Sequence, residues 1–342
     1  MTKDSSVEEN QQQASERRAQ GEFVRGVSGF RHAIGEPDFP AEPGRYHLFV
    51  ALNCPWCHRV TLARSVLGLT NGITMDVAFP NRTGEDDPVG PNLWEFAPDR
   101  IASLTGTTLA ECTLDTGTGI GLRLAKEIYR REGSEEQSVP ILYDKIAGRV
   151  VNNESAEIIR MLDRHADALG RQTTGEGKVQ LLPDDPDHLK LVNMLNERIY
   201  VTVNNGAYKA GFSSDQSVYE RAFDAYFDTL AYLEGLLSDG RAFLTGDAFT
   251  EADLRLFPTL YRHDPVYSLR MKLNGARILD YPHLWRWLCR VYAIDGVAAA
   301  GSLIHCRQGY FGRSWNGVIP RGPLVPIEYP EAYHHPELAD PV

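Results

Sequence analysis

Residues 45–59 read RYHLFVALNCPWCHR, and the order of what they contain decides the fold. Tyr46 to Leu52 is a short, mostly apolar run of the kind that forms a buried strand. It runs directly into Cys54-Pro55-Trp56-Cys57, and Val60 to Leu67 then carries apolar residues at helical spacing. A sulfur between a strand end and a helix start faces backbone N–H groups and the positive end of the helix dipole. Its thiolate is thereby stabilised and its pKa falls. Pro55 suits the first helical position, where no N–H is required. Cys57, three residues on, shares a helix face with Cys54 and is placed to attack a mixed disulfide there; an inert core cysteine is the other reading of it. Zinc would need a second ligand pair, whereas Cys112, Cys289 and Cys306 stand apart, so no metal is expected.

Working outward, Ile73 to Phe79 reads as a second strand and residues 80–118, rich in Gly, Pro, Thr and Asp, as a long irregular insertion. A helix is predicted over Ile120 to Arg131. SVPILYD, a turn at Ala147-Gly148 and RVVNN form a hairpin. Asn153 is the expected N-cap of ESAEIIRMLDRH. Residues 171–187 read as a linker, after which the pattern is helical over Leu189 to Val203, Gln216 to Leu237, Glu251 to Arg262 and His283 to Tyr292. Thr250-Glu251-Ala252-Asp253 carries a capping-box start. The division is therefore a tail 1–20, an α/β domain 21–170, the linker, an all-helical domain 188–323 and a C-terminal tail 324–342.

Two more features bear on the thiol. Val139-Pro140 opens a strand where Pro cannot donate to the ladder, which a cis peptide or an edge position explains. Asn153-Glu154-Ser155 at a helix start offers N–H groups and a hydroxyl to an anion, or is simply a capped helix. The chain of 342 residues has a net charge of −11, which argues against nucleic acid as a main partner. No apolar run approaches the ~18 residues of a membrane span. The polar N-terminus is not a signal peptide, and five cysteines in so long a chain point to a reducing, cytoplasmic setting.

Taken together the sequence resembles the glutathionyl-hydroquinone reductases, the xi class of glutathione transferases. The resemblance runs from Gly21 to Pro323 through GEFVRGVSGFRHAI (21–34), RYHLFVALNCPWCHR, VPILYD with VVNNESAEIIRML, IYVTVNNGAYKAGF (199–212), FLTGDAFTEADLRLFPTLYRHDPVY (243–267), DYPHLW and HCRQGYFGRSWNGVIPRGP (305–323). It implies a thioredoxin-like N-terminal domain, an all-α C-terminal domain and a homodimer. It also implies release of a hydroquinone from its glutathionyl conjugate by glutathione or another low-molecular-weight thiol. Carried over residue by residue, Cys54 is the nucleophile, and Val139, Pro140, Glu154 and Ser155 belong to the thiol site. Trp94 matches a thiol-site tryptophan, and Tyr208 and Tyr310 match tyrosines around the quinol. Tyr200 reads as core.

Three departures stand out. Family members commonly read CPWA where this chain reads CPWC. A basic residue common before the Val-Pro pair is replaced by Ser134-Glu135-Glu136-Gln137-Ser138, with Lys126 and Arg130 nearby as compensating charges. Phe311 stands where the second of a pair of tyrosines is usual. The acidic loop fits a less anionic thiol, such as the sugar-linked mycothiol, better than glutathione. The competing readings are a glutaredoxin-like dithiol disulfide reductase and a noncatalytic scaffold with a transferase fold.

Overall fold

The computed structural model describes residues 17–24, 26, 28–106, 109–172, 178–312, 317–323 and 327. Most of the two expected tails and part of the linker lie outside these residues.

The α/β half runs β1 (Tyr46–Val50), α1 (Pro55–Val66), β2 (Thr74–Val77), α2 (Pro98–Thr105), α3 (Ala125–Arg130), β3 (Ile141–Asp144), β4 (Arg149–Asn152) and α4 (Ser155–Arg164). The sheet order is β2-β1-β3-β4. β1 pairs parallel with β2, Phe49 beside Asp76, and antiparallel with β3, Phe49 beside Ile141. A central strand covered on both faces needs apolar residues throughout, and all five residues of β1 are buried. α1 packs against α4, as the thioredoxin-like expectation required.

The helical half contains α5 (Pro186–Ile199), α6 (Gly206–Phe212), α7 (Gln216–Leu237), α8 (Glu251–Arg262), α9 (Pro282–Tyr292) and α10 (Leu303–Phe311). Two π-helical turns, Tyr200–Asn204 and His263–Tyr267, continue α5 and α8. α1 also packs on α8, so the cysteine-bearing helix is shared by both halves. No helix among the described residues is long and apolar enough to cross a membrane.

Several details differ from the sequence reading. Residues 80–118 are not irregular throughout: they contain α2 and are pinned by buried carboxylates. Asp76 accepts from Thr116 N at 2.6 Å and Gly117 N at 3.1 Å. Arg100 and Arg123 both bridge Asp87 and Glu95. The helix expected from Ile120 begins only at Ala125, because Asp115 draws in the N–H groups of Thr118 and Leu122 and holds the preceding residues in turns. The cap of α4 is Glu154, which accepts from Ala156 N at 3.1 Å, and not Asn153. The Asn153 amide is drawn instead toward Tyr129 Oη and Glu136. Tyr200 is half-buried against Trp56, 6.1 Å between rings, rather than in the core. The helix expected to end at Val203 turns π-helical from Tyr200, and α6 and α10 have no counterpart among the expected helices.

Candidate active site

Cys54 is the N-cap of α1, with Pro55 as the first helical residue. Its Sγ lies 3.8 Å from the Val139 carbonyl oxygen, and Val139-Pro140 is cis. The loop that presents it is held from below by Arg262, which is fully buried at the end of α8. Arg262 Nη2 donates to Leu52 O at 2.8 Å and Nε to Asn53 O at 3.3 Å, while Nη1 meets His58 Nδ1 at 2.8 Å. Burial works against charge at Arg262. The thiol of Cys306 and the hydroxyls of Tyr267, Tyr310 and Tyr208 around it favour the cation and raise its pKa overall. Burial, with Arg262 beside it, pushes His58 well below the ordinary histidine value, so it accepts from Arg262 as the neutral ring.

Cys57 lies one turn into α1 and is wholly buried. Burial, followed by its hydrogen bond to Cys54 and the charge there, pushes its thiol well above the ordinary value. Such a group stays protonated and donates toward Cys54. Of the two thiols, Cys54 lines the cavities described next and Cys57 lines neither.

Two cavities meet at Cys54 and share Cys54, Trp56, Arg82 and Trp94 in their walls. The smaller, of about 350 Å³, continues past Val139, Ser138, Gln137, Glu136, Asn153 and Ser28. Glu136 turns its carboxylate into this wall, where Oε1 accepts from Gly29 N at 2.8 Å and Oε2 from the Asn153 amide. Glu135 points elsewhere, paired with Lys126 at 2.9 Å and Arg130 at 3.3 Å. Of the acidic pair, Glu136 alone faces the cavity. Glu154 and Ser155 stand one layer back: the Ser28 hydroxyl lies 3.3 Å from Glu154 Oε2, and the Ser155 hydroxyl 3.4 Å from Oε1.

The larger cavity, of about 610 Å³, is aromatic: Phe23, Trp56, Trp94, Tyr208, Phe212 and Tyr310 line it. Tyr208 comes from α6 and Tyr310 from α10, 102 positions apart, yet their hydroxyls meet at 2.5 Å. Tyr267, at the end of the second π-turn, reaches Tyr310 Oη at 3.2 Å. Burial, and then the neighbouring hydroxyls, raise the pKa of Tyr208 and Tyr310 well above the ordinary value; burial raises Tyr267 as well. The cluster therefore holds its protons at neutral pH. Trp94 is fixed in the wall by the Arg82 guanidinium, 4.3 Å from its ring.

This arrangement, a thiol at a helix start between a cis-Pro loop and an aromatic cavity, agrees with what sequence comparison finds. The chain matches the glutathione S-transferase N-terminal domain over residues 53–165 and the C-terminal domain over 216–290. It is 36% identical over 311 residues to the glutathionyl-hydroquinone reductase PcpF of Sphingobium chlorophenolicum, covering 90% of this chain and 91% of that protein. To the glutathionyl-hydroquinone reductase YqjG of Escherichia coli it is 38% identical, covering 88% of each. The chain belongs to the xi class of glutathione transferases. The solved Xi transferase of Phanerochaete chrysosporium superposes on this xi-class chain with a TM-score of 0.77 at 34% identity, over 90% of this chain and 94% of that one. The glutathione-bound structure of YqjG gives 0.76 at 35% identity, over 90% and 97%.

Of the residues singled out from sequence, Cys54, Trp94, Val139, Tyr208 and Tyr310 line the two cavities, while Cys57, Pro140, Glu154 and Ser155 stand behind the walls. Sequence reading missed Phe23, Ser28, Arg82, Phe212 and Arg270 in the walls, and Tyr267 behind them. Tyr267 closes the quoted block that ends HDPVY, and its position there was the one available signal. Phe23 and Ser28 lie near two tethers, the bond from Ser214 N to Gly21 O and that from Phe30 N to Asn153 Oδ1, which hold these described residues against the site.

Proposed function

We propose that this transferase releases a hydroquinone from its thiol conjugate through a mixed disulfide at Cys54. The observation that carries the reading is the position of Cys54 Sγ where a polar cavity meets an aromatic one, with paired tyrosine hydroxyls in the aromatic wall. The thiolate attacks the thioether sulfur, so an S–S bond forms as the aryl C–S bond breaks. The ring carbon takes a proton from Tyr208 or Tyr310, which the raised pKa of both keeps in place until then. A second thiol attacks the mixed disulfide and restores Cys54, leaving as a thiol disulfide. The relatives named as glutathionyl-hydroquinone reductases support this chemistry.

Cys57 offers a second route for the last step. Its sulfur attacks Cys54 and expels the thiol, leaving a Cys54–Cys57 disulfide that an external dithiol reduces. The hydrogen bond between the two cysteines favours this as an accessory step. A glutaredoxin-like enzyme or a scaffold would have no need of the aromatic cavity. The thiol is glutathione or a less anionic one of the mycothiol kind. Glu136 repels the tripeptide's carboxylates, and the hydroxyl and amide groups of Ser28, Gln137, Ser138 and Asn153 suit a hydroxyl-rich thiol. We take the protein to act as a homodimer in a reducing, cytoplasmic setting, without metal.

Mass spectrometry of the protein after incubation with a hydroquinone–thiol conjugate tests the proposal. The expected adduct is the thiol on Cys54, with free hydroquinone released and no adduct on Cys54→Ser. An arylated Cys54, or no adduct, would sink it. In the same assay Cys57→Ser retains single-turnover release. A panel of thiols then ranks them as reductants, and a clear preference for glutathione ends the mycothiol reading.

A further inference from the structure

We propose that the aromatic cavity takes a hydroquinone ring carrying a carboxylate, with Arg270 as the contact for that anion. The inference rests on the reading of this cavity as the quinol site and names its substrate class. The protein carries a net charge of −11, yet the charged side chains lining this cavity are two arginines, Arg82 and Arg270, with no carboxylate among the described lining residues. Arg82 is shared with the thiol cavity and stacks on Trp94. Arg270 belongs to the aromatic cavity alone.

Arg270 is held in place by neutral groups. Its Nε donates to the Tyr310 carbonyl at 3.3 Å and its guanidinium carbon lies 5.8 Å from the centre of the Phe212 ring. Among the described residues no carboxylate pairs with it. An unsubstituted quinol, whose polar groups are hydroxyls, can meet the hydroxyls of Tyr208 and Tyr310 in the wall and gains little from a guanidinium. A carboxylate gains a planar, two-pronged partner. Tyr310 connects the two functions, since its hydroxyl meets Tyr208 while its carbonyl fixes Arg270. A ring anchored by its acid at Arg270 would present its thioether toward Cys54 beside the proton-donating tyrosines. A dihydroxybenzoate conjugate has this chemistry.

The test compares the glutathione conjugates of 2,5-dihydroxybenzoate and of unsubstituted hydroquinone on the full-length protein and on Arg270→Gln. The expected result is a higher kcat/KM for the carboxylated conjugate with the parent protein. In Arg270→Gln that preference falls about ten- to a hundredfold, mainly through KM, and Arg270→Lys recovers part of it. A preference unchanged within about twofold, or absent in the parent protein, overturns the proposal. Should neither conjugate turn over, the failure belongs to the hydroquinone-release reading. Fluorescence titration of 2,5-dihydroxybenzoate into Cys54→Ser then decides the anion site: saturable binding abolished by adding Arg270→Gln supports it, and no binding sinks it.

Discussion

Tyr267 is a single residue whose contribution depends on two others. Its hydroxyl supports Tyr310, whose own hydroxyl is bonded to Tyr208, so the three form a short relay ending in the cavity. Phe311, where the resemblance led a second tyrosine hydroxyl to be expected, is buried, and Tyr267 supplies a hydroxyl from a different element. Replacing Tyr208 or Tyr310 by Phe should slow single-turnover hydroquinone release about a hundredfold, the scale of a general acid. Tyr267→Phe should cost about tenfold, because it removes only support. Equal rates for all three variants and the parent would exclude the relay. Because burial raises the pKa of all three phenols, they stay protonated through pH 9. The rate should therefore show no alkaline fall from pH 8 to pH 9, and a fall in that window would mean that a tyrosine is not the donor.

At the scale of elements, α8 shows how a legible start can lead to a site the sequence does not display. Asp253 accepts from Thr250 N at 3.0 Å, Leu244 N at 2.9 Å and Trp287 Nε1 at 2.8 Å, all buried. The cap was readable in Thr250-Glu251-Ala252-Asp253; its tie to α9 through Trp287 was not. Asp253→Ala should destabilise the protein by about 3 kcal/mol or more, since several buried donors lose their acceptor together. Urea unfolding measures this, and a loss under about 1 kcal/mol would show the cap to be dispensable. At its other end α8 delivers Arg262 beneath the Cys54 loop and then widens into a π-turn that brings Tyr267 round. The π-turn after α5 acts similarly: Asn204 within it accepts from Arg59 and donates to Thr259 Oγ1 at 2.8 Å, and α6 resumes on a rotated face with Tyr208 toward the cavity. Periodicity of 3.6 residues cannot register such a turn, which carries one extra residue. α10 also lies close to the site because Gly309 has no side chain; a methyl there would overlap the Asn53 amide.

Across the whole molecule, buried imidazoles couple folding to pH. Burial lowers the pKa of His58, His263 and His305 in the folded protein. As pH falls through about 6.5, the unfolded chain binds protons that the folded one refuses, so stability is full above that value and declines below it. His58 alone should contribute a slope that grows below pH 6.5 and approaches about 1.4 kcal/mol per pH unit near pH 5.5. Urea unfolding at pH 7.5, 6.5 and 5.5 should show the decline, with His58→Gln losing about one proton from the slope; identical slopes would show that His58 does not carry it. By itself the sequence determined the strand, thiol and helix start around Cys54, the hairpin behind Val139, and the helices α7, α8 and α9, because each is written in neighbouring residues through local spacing, capping and turn chemistry. Only the tertiary structure decided that the stretch after β2 contains α2 and is tied down by Asp76, Asp87 and Glu95, that Glu136 and not Glu135 lines the smaller cavity, that Arg262 lies under the Cys54 loop, and that Tyr208, Tyr267 and Tyr310 meet. Those facts depend on contacts between residues tens to hundreds of positions apart, where the geometry of packing, and no local pattern, sets the neighbours.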